Sequence, residues 1–175
     1  MKFQSLIPLV AIGLLAGCAT NAANAPATAS RTEVVFDHPE KFTDVKDGGN
    51  PTDEGRDYIL SQIRNYLVEC TASLVPEGYK LKLVFTDISL AGRYEPWRGP
   101  MWENVRIIKT VYPPSFAFTY SVTDSSGKVV KEGSEDFRDM DFQTRVVFAN
   151  TDPLRYEKAA LNDWARDKLR DLKKA

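Results

Sequence analysis

Between Ser115 and Thr123 the chain alternates as a half-buried β-strand does, and a turn signal follows it. Phe116, Phe118, Tyr120 and Val122 recur at every second position, so a strand over 115–123 carries all four on one face. Asp124-Ser125-Ser126-Gly127 supplies the turn, and 128–137 returns as the partner strand. A sheet with one aromatic face cannot leave that face in water, so the chain needs a second layer to cover it. Two segments can provide it. The first is a helix over 53–74, where Ile59, Ile63, Leu67, Cys70 and Leu74 recur every three or four residues with Tyr58 and Tyr66 alongside. Thr52 or Asp53 can cap it, and Pro76-Glu77-Gly78 stops it. The second starts at Asp152-Pro153, a capping residue before a proline at the first helical position, and runs to about Lys173 through Leu154, Leu161, Trp164, Ala165 and Leu172.

The remaining elements are shorter. Residues 32–37 read as a strand through Val34, Val35 and Phe36, and 79–89 opens with polar/apolar alternation before becoming a strand. Residues 38–51 are turn-rich, 91–102 form an irregular aromatic loop, and 105–111 predicts a further strand that Pro113-Pro114 breaks. The resulting order is β-α-β-β-β-β-α. Its opening suggests one right-handed crossover, and its later strands an antiparallel meander. The expected fold is therefore α+β, a two-layer sandwich with a mostly antiparallel sheet of four to five strands and two helices on one face. No internal repeat is present.

The amino terminus sets a different kind of limit. Lys2 precedes a mostly apolar run from Leu6 to Ala16, too short to cross a bilayer but laid out as a secretory signal. Leu15-Ala16-Gly17-Cys18 resembles a bacterial lipobox, which assigns residues 1–17 to a signal peptide cut after Gly17 and makes Cys18 the lipid-bearing residue. Two or more acyl chains would hold it stably where one would not. Ala19 stands where lipoproteins kept in the inner membrane usually carry Asp, so the expected location is the outer membrane, facing the periplasm. Residues 18–31 are Ala/Asn/Thr-rich and read as a lipidated N-terminus and tether, leaving 32–175 as a single domain.

Removing 1–17 leaves 158 residues, enough for one domain with a sizeable core. Charge is near balance, with 23 Lys and Arg against 24 Asp and Glu, which gives no electrostatic reason to expect nucleic acid as a partner. With Cys18 committed to lipid, Cys70 is the one thiol left and no intramolecular disulfide can form. On the apolar face of a helix, Cys70 is expected to be a buried, inert residue.

Chemistry-bearing patterns are sparse. The single histidine, His38, precedes Pro39 in a turn, where a solvated loop residue is expected. It has no companion ligands at zinc spacing and no nucleophile elbow to serve. P-loop and Rossmann fingerprints are absent, and no cofactor or metal is expected. Glu132, Glu135, Asp136, Asp139 and Asp141 lack the order of a calcium loop, and Lys131 and Arg138 are interleaved among them. The most distinctive stretch is Arg93, Tyr94, Glu95, Trp97 and Arg98, continuing to Met101 and Trp102. Its rings and guanidinium groups suit stacking on a sugar or holding a peptide. Alternatively, Trp97 plugs the sheet edge while Glu95 pairs with Arg93 or Arg98. The structural role is the expectation of the two.

Several of these stretches carry a family resemblance. The run 87–97, DISLAGRYEPW, then Val111-Tyr112-Pro113-Pro114, Glu132-Gly133 to Arg138-Asp139, and 152–158, DPLRYEK, with Asp163-Trp164 are similar to the domain of unknown function 3016 family. The resemblance covers Val34 to Trp164 and implies a single-domain exported protein with no reaction attached. Read physically, Arg138, Asp139, Arg155 and Glu157, with Arg93 and Glu95, are opposite charges that one ion-pair network could join, fastening the second helix to the sheet end. Together these readings favour an envelope-anchored, non-enzymatic binding or accessory module whose partner is an envelope protein or glycan. The competing expectation is a hydrolase of peptidoglycan or another envelope polymer using a carboxylate pair from Glu95, Asp139 and Asp141.

Overall fold

The structure, a computed structural model, describes residues 30–49, 51–145 and 151–174. The signal-peptide and lipobox readings, Gly17 and Cys18 included, lie outside the described residues, as does the tether up to residue 29. In chain order the principal elements are β1 (Thr32–Phe36), α1 (Asp53–Thr71), β2 (Lys80–Ser89), β3 (Arg93–Tyr94), β4 (Arg106–Ile107), β5 (Ser115–Thr123), β6 (Val129–Arg138) and α2 (Arg155–Leu169). The fold is α+β. Four strands form a mixed sheet in the order β1-β2-β5-β6, and β3 pairs with β4 in a separate two-stranded sheet.

The alternation that predicts β5 is what builds the core. β5 lies antiparallel to both β2 and β6, and Phe116, Phe118, Tyr120 and Val122 are all buried. β1 runs parallel to β2, with α1 as the crossover between them. Across the sheet the rings form a chain of contacts: Phe36 to Phe85 at 5.7 Å, Phe85 to Phe118 at 4.7 Å, and Phe118 edge-on to Trp164 at 4.9 Å. Ile59, Ile63 and Leu67 of α1 and Leu161, Ala165 and Leu169 of α2 join the same cluster. Gly133, opposite Tyr120 in the register, leaves room for that ring, since a Cβ there would stand 2.8 Å from it.

Local chemistry explains where the elements end. Thr52 caps α1 by accepting from the Gly55 N–H at 3.0 Å, as its residue type predicts. The start of α2 differs from expectation. Asp152 accepts from the Leu154 N–H at 2.8 Å and from the Lys158 ammonium at 2.6 Å, so Pro153 lies before the helix and regular turns begin at Arg155. The helix ends at Leu169 and continues as a tighter 3₁₀ turn. Tyr58 faces solvent with 64% of its surface exposed, although the helical spacing aligns it near the core positions.

Two further features position the site. β2 bulges between Phe85 and Asp87, which changes the parity of its faces and lets both Phe85 and Ile88 enter the core. Asp87 then receives hydrogen bonds from the Thr43 N–H and hydroxyl at 2.6 and 2.7 Å. The bridge between Asp44 and Ser89 completes the docking of the 43–49 loop at this end of the sheet. The strand predicted over 105–111 is reduced to Arg106–Ile107 and pairs with β3 instead of joining the main sheet.

Candidate functional site

The end of β2 opens into the aromatic loop, and the loop's geometry follows from its prolines and glycines. Gly92 turns the chain at φ 80°, where a Cβ would meet the Ile108 side chain at 2.6 Å and the Ile107 carbonyl at 2.8 Å. Two short 3₁₀ turns follow, Pro96–Arg98 and Pro100–Trp102, each with its proline at the start. Gly99 joins them at φ 106°, a conformation side chains rarely adopt.

Beneath these turns lies a buried carboxylate. Glu95 is 1% exposed, and its oxygens accept from Arg98, Lys109 and the Tyr112 hydroxyl, the last at 3.0 Å. The hydrogen bond from Lys109, opposed by burial and aided by Arg98 and Tyr112, holds its pKa down to about 2. Glu95 therefore stays ionised and acts as the fastening of the loop. Of the two partners the sequence suggests, Arg98 takes the carboxylate while Arg93 lies 5.3 Å over the Tyr112 ring.

A second buried pair closes the base. Arg106 reaches Asp44 at 3.2 and 3.3 Å, donates to the carbonyls of Gly92 and Lys46, and stacks 4.6 Å from the Tyr94 ring. This contact joins the 43–49 loop to the aromatic loop. Between the two walls is a cleft of about 750 Å³, lined by Thr43, Asp44, Lys46, Arg93, Tyr94 and Glu103 among others. The aromatic side chains divide sharply. Tyr94 packs into the wall, whereas Trp97 is 70% exposed, Met101 90% and Trp102 42%. Trp97 does not plug the sheet edge. It projects from a loop whose fastening lies in Glu95, so the loop is structural at its base and open at its rim.

The charged residues expected in one network take separate partners. Glu157, 1% exposed, accepts from the Ala91 N–H at 2.6 Å, and burial pushes its pKa up. This bond does tie α2 to the end of β2, but through backbone and without Arg155. Arg155 instead lies 4.4 Å over the Tyr156 ring and donates to the Asp152 carbonyl. Asp139 pairs with Arg145 at 3.1 Å, and Arg145 also reaches Asp163. Arg138 is exposed and pairs with none of the others among the described residues. A buried carboxylate needs a well-placed donor, and for Glu157 and Asp139 the donors, the Ala91 N–H and Arg145, lie outside the expected set.

The other candidates are readily placed. His38 is exposed with φ 51°, its ring 3.1 Å from Glu40. Cys70 is half-buried beside Tyr66 and Arg166, and burial pushes its thiol up to about 11, so it remains protonated and unreactive at neutral pH. No group of three potential metal ligands occurs among the described residues. Asp44, Lys46, Arg106, Lys109 and Tyr112 carry no sequence signal of their own as a site. Only Tyr112 falls within a stretch that carries the family resemblance, Val111-Tyr112-Pro113-Pro114.

A family model described as a protein of unknown function (DUF3016) matches residues 30–167. No curated protein and no solved structure matches the chain.

Proposed function

Starting from a chain that belongs to the DUF3016 family, we propose an envelope-anchored lipoprotein whose domain is a non-enzymatic binding module, with the aromatic loop as its contact surface. The observation that carries this reading is the pairing of a fastened base with an exposed rim. Glu95 is buried under three donors while Trp97 and Met101 stand 70% and 90% exposed. Large apolar groups held out in water on an ordered loop mark contact surfaces, because solvation alone gives no reason to place them there. Two of the three carboxylates offered by the hydrolase reading, Glu95 and Asp139, are poorly suited to that chemistry, while Asp141 is exposed. Glu95 is buried and held ionised, which leaves it no proton to donate at neutral pH, and Asp139 is engaged by Arg145.

We read the architecture behind this surface as a two-layer sandwich with both helices on one face. Its support is that the buried positions of the strands and of the two helices fall in one cluster, while Glu33, Lys82, Thr119, Glu132 and Ser134 are exposed.

The anchoring half of the proposal has its own test. Cells fed a clickable palmitate should label the protein, and Cys18→Ala should abolish the label and leave the precursor uncut. Equal labelling of the variant would refute the lipid anchor. The binding half is tested by photo-crosslinking in cells from positions 97 and 101, read by mass spectrometry, with position 125 in the distal hairpin turn as control. A specific adduct from the loop and none from the turn is expected. Identical adduct profiles from the loop and the turn would remove the loop's claim to be the contact surface.

A further inference from the structure

We propose that the cleft beside the aromatic loop takes a polysaccharide strand bearing carboxylate groups, with Trp97 and Trp102 stacking on sugar rings and Lys46 and Arg93 receiving the acid groups. The inference rests on the binding reading above and adds to it the chemistry of the ligand.

The lining of the cleft is too polar for an acyl chain or an apolar side chain. Thr43, Lys46, Arg93 and Glu103, all exposed, supply hydroxyl, ammonium, guanidinium and carboxylate groups along about 750 Å³ of open space. Ligands that bury apolar bulk require an apolar lining. A sugar presents the opposite demand, many hydroxyl groups around the edge and flat C–H faces above and below. The rings supply the flat partner, Trp97 standing well into solvent and Trp102 half-open with the Arg98 guanidinium 5.7 Å from its ring centroid. Trp97 follows Pro96, which lines the cleft, and Trp102 precedes Glu103, which lines it too. Each ring sits on its own 3₁₀ turn, and the pair brackets Gly99.

Charge selects the kind of glycan. Lys46 and Arg93 are exposed, and neither forms an ion pair among the described residues. Of the two acids lining the cleft, Asp44 is already occupied by Arg106, leaving Glu103 against two cations. That surplus favours an acidic ligand over a neutral one.

Topology then places the cleft away from the point where the chain enters the domain. β1 runs parallel to β2, so Arg31 lies at the start of β2, where its guanidinium donates to the Ala72 carbonyl at 2.6 Å. The aromatic loop leaves the other end of that ten-residue strand, about 30 Å away. The chain thus enters the domain at one end of the sheet and the cleft lies at the other, so a ligand in the cleft does not crowd the point of attachment.

The test uses the full mature lipoprotein in detergent, sedimented with purified peptidoglycan sacculi as an acidic glycan probe. Wild-type protein should sediment, and polygalacturonate should compete where neutral dextran does not. Trp97→Ala and Trp102→Ala should each weaken binding by roughly tenfold. Lys46→Gln and Arg93→Gln should weaken it chiefly at low salt, where charges are least screened. Circular dichroism and thermal melts confirm that each variant is folded. Equal sedimentation of folded Trp97→Ala, or equal competition by dextran, would overturn the proposal. Failure to sediment together with a loop-specific protein crosslink would overturn the glycan and keep the binding reading. Failure of both experiments would remove both.

Discussion

Trp164→Ala is expected to destabilise the domain by about 3–5 kcal/mol, whereas Trp164→Phe costs about 1 kcal/mol. The indole is 6% exposed and stands edge-on to two rings of β5, Phe118 at 4.9 Å and Tyr120 at 5.4 Å. Alanine removes the group through which α2 meets the centre of the sheet, and rigid strands on the facing side cannot collapse into the space. Phenylalanine keeps a ring in the same place. It also deletes an indole N–H that is buried without a partner among the described residues, which offsets part of the lost area. Urea denaturation of both variants measures the difference. A Trp164→Ala midpoint close to that of wild type, at unchanged slope, would mean that α2 does not depend on this contact. Loss of α2 would also release the bond from Ala91 to Glu157 and free the head of the aromatic loop.

What the sequence discloses follows the range of the interactions involved. The strand over 115–123 and α1 are legible because their signals are periodic and local, a burial pattern written every second or every third and fourth residue, and the turn after Thr123 makes 128–137 the return strand. The strand expected over 105–111 fails for a non-local reason. Lys109 and Tyr112 are both drawn to the buried Glu95, and the Tyr112 N–H closes a turn onto the Lys109 carbonyl. An extended strand would point these two side chains away from one carboxylate. Composition picks out one wall of the cleft, the aromatic loop. The other wall is hidden, because the contact between Asp44 and Arg106 spans 62 positions and neither residue stands in a distinctive local pattern. The ion-pair expectation errs in the same way. Glu157 and Asp139 are indeed buried charges, but their partners are a backbone N–H at Ala91 and a guanidinium at Arg145. Charge signs along a chain show which groups need partners and leave open which partners geometry supplies.

Glu95→Gln is expected to release the aromatic loop while leaving the main sheet intact. Glutamine keeps the size of the side chain but turns one acceptor into a donor, which then faces Arg98 or Lys109, donors themselves. Those two cations are each 39% exposed and can turn to water, so the loss falls on the loop and not on the core. Amide hydrogen exchange should therefore quicken by about tenfold or more at Arg98, Gly99 and Trp102, whose N–H groups close the 3₁₀ turns, with β5 unchanged. Acid should do to the wild type what the substitution does at neutral pH. The folded pKa of Glu95 lies near 2, below its ordinary 4.5, so its contribution is present above about pH 4.5 and lost as pH falls toward 2. Glu157 has the opposite sign. Its pKa is raised by burial, so its contribution is complete at low pH and declines as pH rises through the folded value. Loop opening in acid is accordingly expected from Glu95, the lowered carboxylate that holds the loop's own donors, and Glu95→Gln should flatten the dependence of loop exchange between pH 4.5 and 2 where Glu157→Gln does not. If protection of Gly99 and Trp102 in wild type is unchanged across that range, after correction for intrinsic exchange, Glu95 is not the fastening of the loop. The exposed tryptophans would then stand on a base held by something else.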